Sequence, residues 1–190
     1  MAVVSHVYGW DSPALASGQT AYAHLGAGTS AMFTIAGGET QRQVLVRKAG
    51  DFSNLGVRVS ANTIATSATT VTFRLNAADG SQVVSIGAGL TGHFRDTTNS
   101  DTVASGDKVN LKVVTPATSG SITITGCTWD FEASSGTSGF FIGPMLSINP
   151  NAVTRWNAWS SVSQATTETP AQSSTQVALT LRNLCLNVQT

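Results

Sequence analysis

Two carboxylates two positions apart, Asp130 and Glu132, close the run "SITITGCTWDFEA", and a convergent carboxylate pair is what acid–base cleavage of a glycosidic bond requires. A strand period places both on one face, with Trp129 and Phe131 on the other. An amphipathic strand, one side core and one side water, explains that pattern without catalysis. Asp96 and Asp101 bracket the polar loop "TTNS", whose carboxylate and carbonyl oxygens suit calcium, but the ligand ladder of an EF-hand loop is missing, so the two are expected to be solvated loop carboxylates. His6, His24 and His93 are too far apart for a metal-ligand spacing. "GTSGF" at Gly136 to Phe140 lacks both the spacing of a nucleophile elbow and a helix signal after it. There is no Walker loop and no GxGxxG. Catalytic, cofactor-binding and metal-binding residues are all expected to be none, and the chain is read as a non-enzyme.

Composition points toward strands. Thr and Ser make up about a quarter of the 190 residues, Gly contributes 18, and only 11% are charged, against a typical ~25%. β-branched side chains lose less freedom on a pleated surface than against a helical turn, so very little helix is expected. A chain of this length buries roughly two-thirds of its unfolded surface. Ten basic and ten acidic residues balance, and only Lys108 and Lys112 among the lysines lie close together, so there is no basic stripe for a phosphate backbone and no direct nucleic-acid binding is expected. No apolar run reaches the length that spans a bilayer, and "MAVVSHVYGW" lacks the basic start and long apolar stretch of a signal peptide. Synthesis in a cytoplasm is the expectation.

From Gln41 the apolar residues recur at every second position. Val44 and Val46 form one such row, Leu55, Val57 and Val59 a second, and Val71, Phe73 and Leu75 a third. "KAGDFS" between the first two is a turn or bulge. Asp79-Gly80 in "NAADGSQ" predicts a hairpin turn, with Val84 and Ile86 on the returning strand. "SGD" at Ser105 to Asp107 turns the chain again. Val109, Leu111 and Val113 then point one way, and Asn110 and Lys112 the other. In the next run the apolar set begins as Ile122 and Ile124 but continues as Cys127, Trp129 and Phe131, and a glycine at the change of parity, Gly126, predicts a β-bulge.

About seven strands at intervals of roughly 8–12 residues predict an all-β fold, an antiparallel, jelly-roll-like β-sandwich. The sandwich is assigned to 37–135. Residues 1–36 are expected to be an extended N-terminal arm with one or two strands, and 136–190 a β-rich C-terminal segment entered through the Ser/Gly linker "EASSGTSG". The closing "NLCLNVQT" at Asn183 to Thr190 echoes "NLGVRVSANT" at Asn54 to Thr63, without the hairpin that follows the first copy. Either the terminal strands add to the sandwich, or they pair with a neighbouring subunit, or the chain is part of something longer, or the motif recurs by chance. Cys127 and Cys185 are either two buried thiols or a disulfide tying the C-terminal segment down.

Trp10, Trp156 and Trp159 stand in stretches otherwise rich in small polar residues. They act as lids over the sandwich ends, as interface anchors, or as platforms for sugar stacking. With Phe140, Phe141, Leu184 and Leu186 they form the expected subunit interface.

The stretch "FSNLGVRVSANTIATSATTVTFRLNAADGSQVVSIGAGLTGHFRDTTNSDTVASGDKVNLKVVT", Phe52 to Thr115, resembles virion proteins of tailed bacteriophages. Its strand-and-turn phrases cover about a third of the chain and specify a module better than a role. The resemblance implies a small β-sandwich that decorates a capsid, or forms part of a tail or fibre, and it carries over no catalytic residue. The function it implies is a capsid decoration or cement protein of the virion, made in the host cytoplasm. Its partners would be copies of itself in a symmetric homo-oligomer, a trimer being favoured, and the major capsid protein. The competing reading is a receptor- or glycan-binding module of a tail or fibre. A capsule-degrading hydrolase is a third, for which the chain is short and lacks an acid–base pair.

Overall fold

The computed structural model describes residues 3–9, 14–26, 33–35 and 38–135, together with short strands at 156–157 and 164–165. Its strands in chain order are β1 (Val3–Gly9), β2 (Leu15–Ala16), β3 (Thr20–Ala23), β4 (Thr34–Ile35), β5 (Val44–Leu45), β6 (Gly50–Asn62), β7 (Thr69–Leu75), β8 (Ala78–Ile86), β9 (Gly92–Arg95), β10 (Ser100–Val103), β11 (Lys108–Val114), β12 (Ser121–Ala133), β13 (Trp156–Asn157) and β14 (Gln164–Ala165). One 3-10 turn, Glu39–Arg42, precedes β5. Two antiparallel sheets pack face to face, so the expected all-β sandwich is what forms; the strand order does not by itself define a jelly roll.

The first sheet is built on the two 13-residue strands β6 and β12. β1 and β2 lie along the outer side of β12, and β9 and β10 along the outer side of β6. In the second sheet β11 is central: the order is β4, β3, β11, β7, β8, with β5 also pairing β11. The inward rows are those that the alternation marked. Leu55, Val57, Val59, Val71, Phe73, Val84, Ile86, Val109, Leu111 and Val113 are all buried. Phe52 is the aromatic hub, with ring centroids 5.2 Å from Phe73 across the sheets and 5.1 and 5.0 Å from Trp129 and Phe131 beside it. Trp129 Nε1 donates to Leu25 O at 3.1 Å, so the indole does not leave a buried donor unpaired.

Bulges break the regular register where sequence parity changes. Gly126 lies at a register shift between β12 and β6, as expected. A Cβ there would stand 2.7 Å from Tyr8 O of β1, so glycine lets β1 approach. A second shift faces Asn54 of β6, which adopts φ +56°.

The hairpin after β7 turns earlier than Asp79-Gly80. Asn76 and Ala77 take the positive φ values, 51° and 65°, and Ala78 already belongs to β8. Asn76 can turn there because its side chain is tied to the next hairpin: its Oδ1 accepts Lys108 N at 2.9 Å and its Nδ2 donates to Asp107 Oδ1 at 2.8 Å. Gly80 is needed for a different reason, since a Cβ would lie 2.7 Å from Asp101 Oδ1.

The segment drawn as an N-terminal arm supplies strands to both sheets. β1 runs antiparallel along β12 from Val3↔Glu132 to Gly9↔Gly126, and β3 pairs β11 from Ala23↔Leu111 to Thr20↔Val114. Pairing satisfies backbone groups that an arm would leave to solvent. Of 136–190, only the backbone pairing Trp156↔Ala165 and Asn157↔Gln164 is described. Trp10, Phe140, Phe141, Trp159, Leu184, Leu186 and Cys185 lie outside the described residues, as does the side chain of Trp156.

Ala77 is exposed and left-handed, a conformation that costs an L-residue about 1–2 kcal/mol. Ala77→Gly removes that strain while adding about 0.4–1 kcal/mol of unfolded-state entropy, so a net gain of about 0.5–1 kcal/mol is expected in urea unfolding. A loss of stability would mean that the turn is not strained.

Candidate ligand-binding cleft

The outward face of the first sheet carries a cleft of about 180 Å³, lined by Ser5, His6, Val7, Asn54, Arg95, Thr128 and Asp130. The register builds it. Val7 pairs Thr128, Thr128 pairs Gly56 and Gly56 pairs Arg95, a row across four strands in which Gly56 supplies no side chain. A Cβ at Gly56 would stand 2.4 Å from Thr128 Oγ1 and 3.1 Å from Arg95 Cγ, so the gap accommodates both neighbours. In the adjoining row Ser5 pairs Asp130 and Asp130 pairs Ser53. The bulge adds Asn54, whose Nδ2 donates to Asp130 Oδ2 at 2.7 Å. Bulges re-aim side chains in this way.

Thr128 Oγ1 is buried with no hydrogen-bond partner among the described residues. His6 stacks on Trp129 with centroids 3.9 Å apart, and burial lowers its pKa to about 4 against the opposing pull of Asp130. The outward side of the cleft thus presents a carboxylate, a guanidinium and two hydroxyls, while the neutral imidazole of His6 lies on the inward face of β1 with Trp129. Asp130 and Glu132 do share an outward face, with Trp129 and Phe131 buried beneath, but Asp130 points its carboxylate at an amide.

Asp96 and Asp101 are not solvated: they are only 7% and 8% exposed. Asp96 accepts Val83 N at 2.9 Å, Thr98 N at 3.0 Å, Asn99 N at 3.1 Å and Asn99 Nδ2 at 2.9 Å. Asp101 accepts Ser81 N at 2.7 Å, Ser81 Oγ at 2.9 Å, and Gln82 N and Nε2 at 3.2 and 3.1 Å. Their oxygens are taken up by donors of β8 and of their own loop, which fixes the corner between the sheets. These bonds outweigh burial and hold the Asp96 pKa down at about 2.

On the outward face of the second sheet, Arg74 donates through Nε and Nη2 to both oxygens of Glu39 at 2.8 and 3.0 Å, and through Nη1 to Asp79 at 2.5 Å. Lys112 Nζ also reaches Asp79 at 2.5 Å. This network clips the 3-10 turn onto β7 and β8. Cys127 is a buried free thiol whose pKa burial raises, and its Sγ meets Leu25 O at 3.5 Å. His24, also neutral through burial with a pKa near 4, and exposed His93 lie on other strands and loops from His6. No cluster of metal-ligating side chains occurs among the described residues.

Comparison of the chain with protein-family models, with curated proteins and with solved structures finds no match in any of the three. The cleft was not among the sequence-based expectations. Its one sequence signal is the glycine between Leu55 and Val57, because every other element of it comes from long-range register.

Acid should unfold the protein in two stages. His6 and His24 titrate near 4 when folded and 6.5 when unfolded, so the unfolded chain binds more protons and stability declines as pH falls from 6.5 to about 4. Asp96 contributes stability above its unfolded value of 3.8, and this is lost as pH falls toward about 2. His6→Phe and His24→Leu should flatten the upper limb of a plot of urea midpoint against pH. Asp96→Asn should cost about 2 kcal/mol near neutrality and flatten the lower limb. A variant profile parallel to that of the wild type would refute the assignment.

Proposed function

We propose that this chain is a non-enzymatic structural protein of a tailed-phage virion, a capsid decoration or cement protein that acts as a symmetric homo-oligomer, a trimer being favoured, against the major capsid protein. The observation that carries this reading is on β1. Val3 and Val7, 54% and 79% exposed, stand on the outward face of this strand at the side of the first sheet, in a chain with few charges to resist close packing of copies. Interface centres are depleted in charge in the same way. Further support comes from the phage-like stretch Phe52 to Thr115, which coincides with the consecutive strands β6 to β11 and spans both sheets. The mechanism is mechanical: the sandwich is a rigid block, and the valine-bearing rim and the C-terminal segment bridge neighbouring capsid subunits against the pressure of packaged DNA.

The purified chain should sediment as an oligomer, bind expanded phage heads and raise their thermal disruption temperature. Val3→Glu with Val7→Glu should weaken both association and head binding while leaving the far-ultraviolet circular dichroism unchanged. Specific binding to host cells with no binding to any head form would replace decoration by attachment.

A further inference from the structure

We infer that the cleft between β1, β12, β6 and β9 is a binding site for a neutral, hydroxyl-rich ligand, a single sugar ring or similar polyol. Its volume of about 180 Å³ is below the ~300 Å³ at which drug-sized pockets begin, and so suits one ring. The charges select the chemistry. Arg95 offers only donors, and the Asp130 carboxylate only acceptors. An anionic ligand placed on Arg95 would meet Asp130, and a cationic one placed on Asp130 would meet Arg95. Hydroxyl groups satisfy both, because each can donate to Asp130 while accepting from Arg95. Asn54 pre-positions Asp130 through the 2.7 Å bond, which reduces the ordering cost of binding.

The floor of the cleft supplies an independent pointer. Thr128 Oγ1 is buried and unpartnered among the described residues, and a buried hydroxyl without a bond is costly. Gly56 opposite lets Thr128 Oγ1 and the Arg95 side chain pack into the place that a Cβ would take, so a ligand hydroxyl reaches Thr128 as the exposed Arg95 side chain swings aside. Ser5 adds a further hydroxyl at the wall.

The site is separable from the virion reading, since it needs no oligomer and no capsid. The full-length chain, labelled with 15N, is titrated with D-glucose, D-galactose, L-rhamnose and N-acetyl-D-glucosamine, and amide shifts are followed. Saturable shifts confined to Ser5, Val7, Asn54, Gly56, Arg95, Thr128 and Asp130 are expected with at least one sugar. Arg95→Met and Asp130→Asn should each weaken binding about tenfold, the loss of one charge-assisted hydrogen bond. Thr128→Val is the decisive variant. It removes a hydroxyl that bonds to nothing among the described residues, so thermal stability should hold or rise and head binding should persist, while sugar affinity falls. The inference is overturned if no sugar gives saturable cleft shifts, if the variants leave the shifts unchanged, or if sodium acetate or guanidinium reproduces them.

Discussion

The side chain of Gln82 sits between the two sheets and does for β6 what a neighbouring strand would otherwise do. The bulge at Asn54 takes Phe52 O and Leu55 N out of step with the β12 ladder. Gln82, reaching across from β8 and only 1% exposed, donates its amide to Phe52 O and accepts Leu55 N, each at 3.1 Å. A buried peptide group without a partner costs roughly 1–3 kcal/mol, so one carboxamide removes two such penalties. Gln82 points inward in the same alternating row as Val84 and Ile86. β8 itself departs from register with β7 between Thr72 and Arg74, and Asp101 takes the backbone donors Ser81 N and Gln82 N at that irregularity. Two irregular strands in opposite sheets are thus matched through one glutamine and one aspartate.

From that match the outer surface follows. With the bulge held from inside, Asn54 can adopt its left-handed backbone and turn its amide to Asp130 on the opposite side of the sheet. Leu55 and Val57 then resume the inward row, leaving Gly56 outward beneath Arg95 and Thr128. The cleft and the core therefore share a cause. A residue with no contact to the cleft, Gln82, sets the backbone that shapes it, as expected where a strained or irregular segment is over-determined by its surroundings.

How much of this was legible depends on range. Rows such as Val109, Leu111 and Val113 declare their face locally, because the strand period is a nearest-neighbour property. The bulge at Gly126 was legible for the same reason: Ile124 and Cys127 differ in parity. The equivalent change between Phe52 and Leu55 is also present, but it falls at the end of a run read as a turn or bulge, which the structure makes part of β6 with its bulge at Asn54. The Asp79-Gly80 turn was misplaced because a tight-turn dipeptide is a local cue, whereas Asn76 gains its advantage from Asp107 and Lys108, about thirty residues away. Asp96 and Asp101 look like loop carboxylates in any local reading. Only the fold brings Val83 N and Ser81 N to them. The strands of the first 36 residues are two to seven residues long, and most are too short to show a period at all.

The same distinction separates residues that hold the fold from residues that it leaves for other work. Gln82, Asp96, Asn99 and Asp101 all fall within Phe52 to Thr115, and each is occupied in holding strands at the corner of the sandwich. Even Asn76, at the hairpin, is engaged with the neighbouring turn. Replacing Gln82, Asp96 or Asp101 leaves buried donors or acceptors unpaired, so these residues answer to the fold. A role must then be sought in residues that the fold does not consume. Val3 and Val7 expose apolar surface that buries nothing, and Thr128 carries a hydroxyl that bonds to nothing among the described residues. All three sit on β1 and on the strand it pairs with, at one side of the first sheet, where Arg95 and Asn54 reach them from β9 and β6.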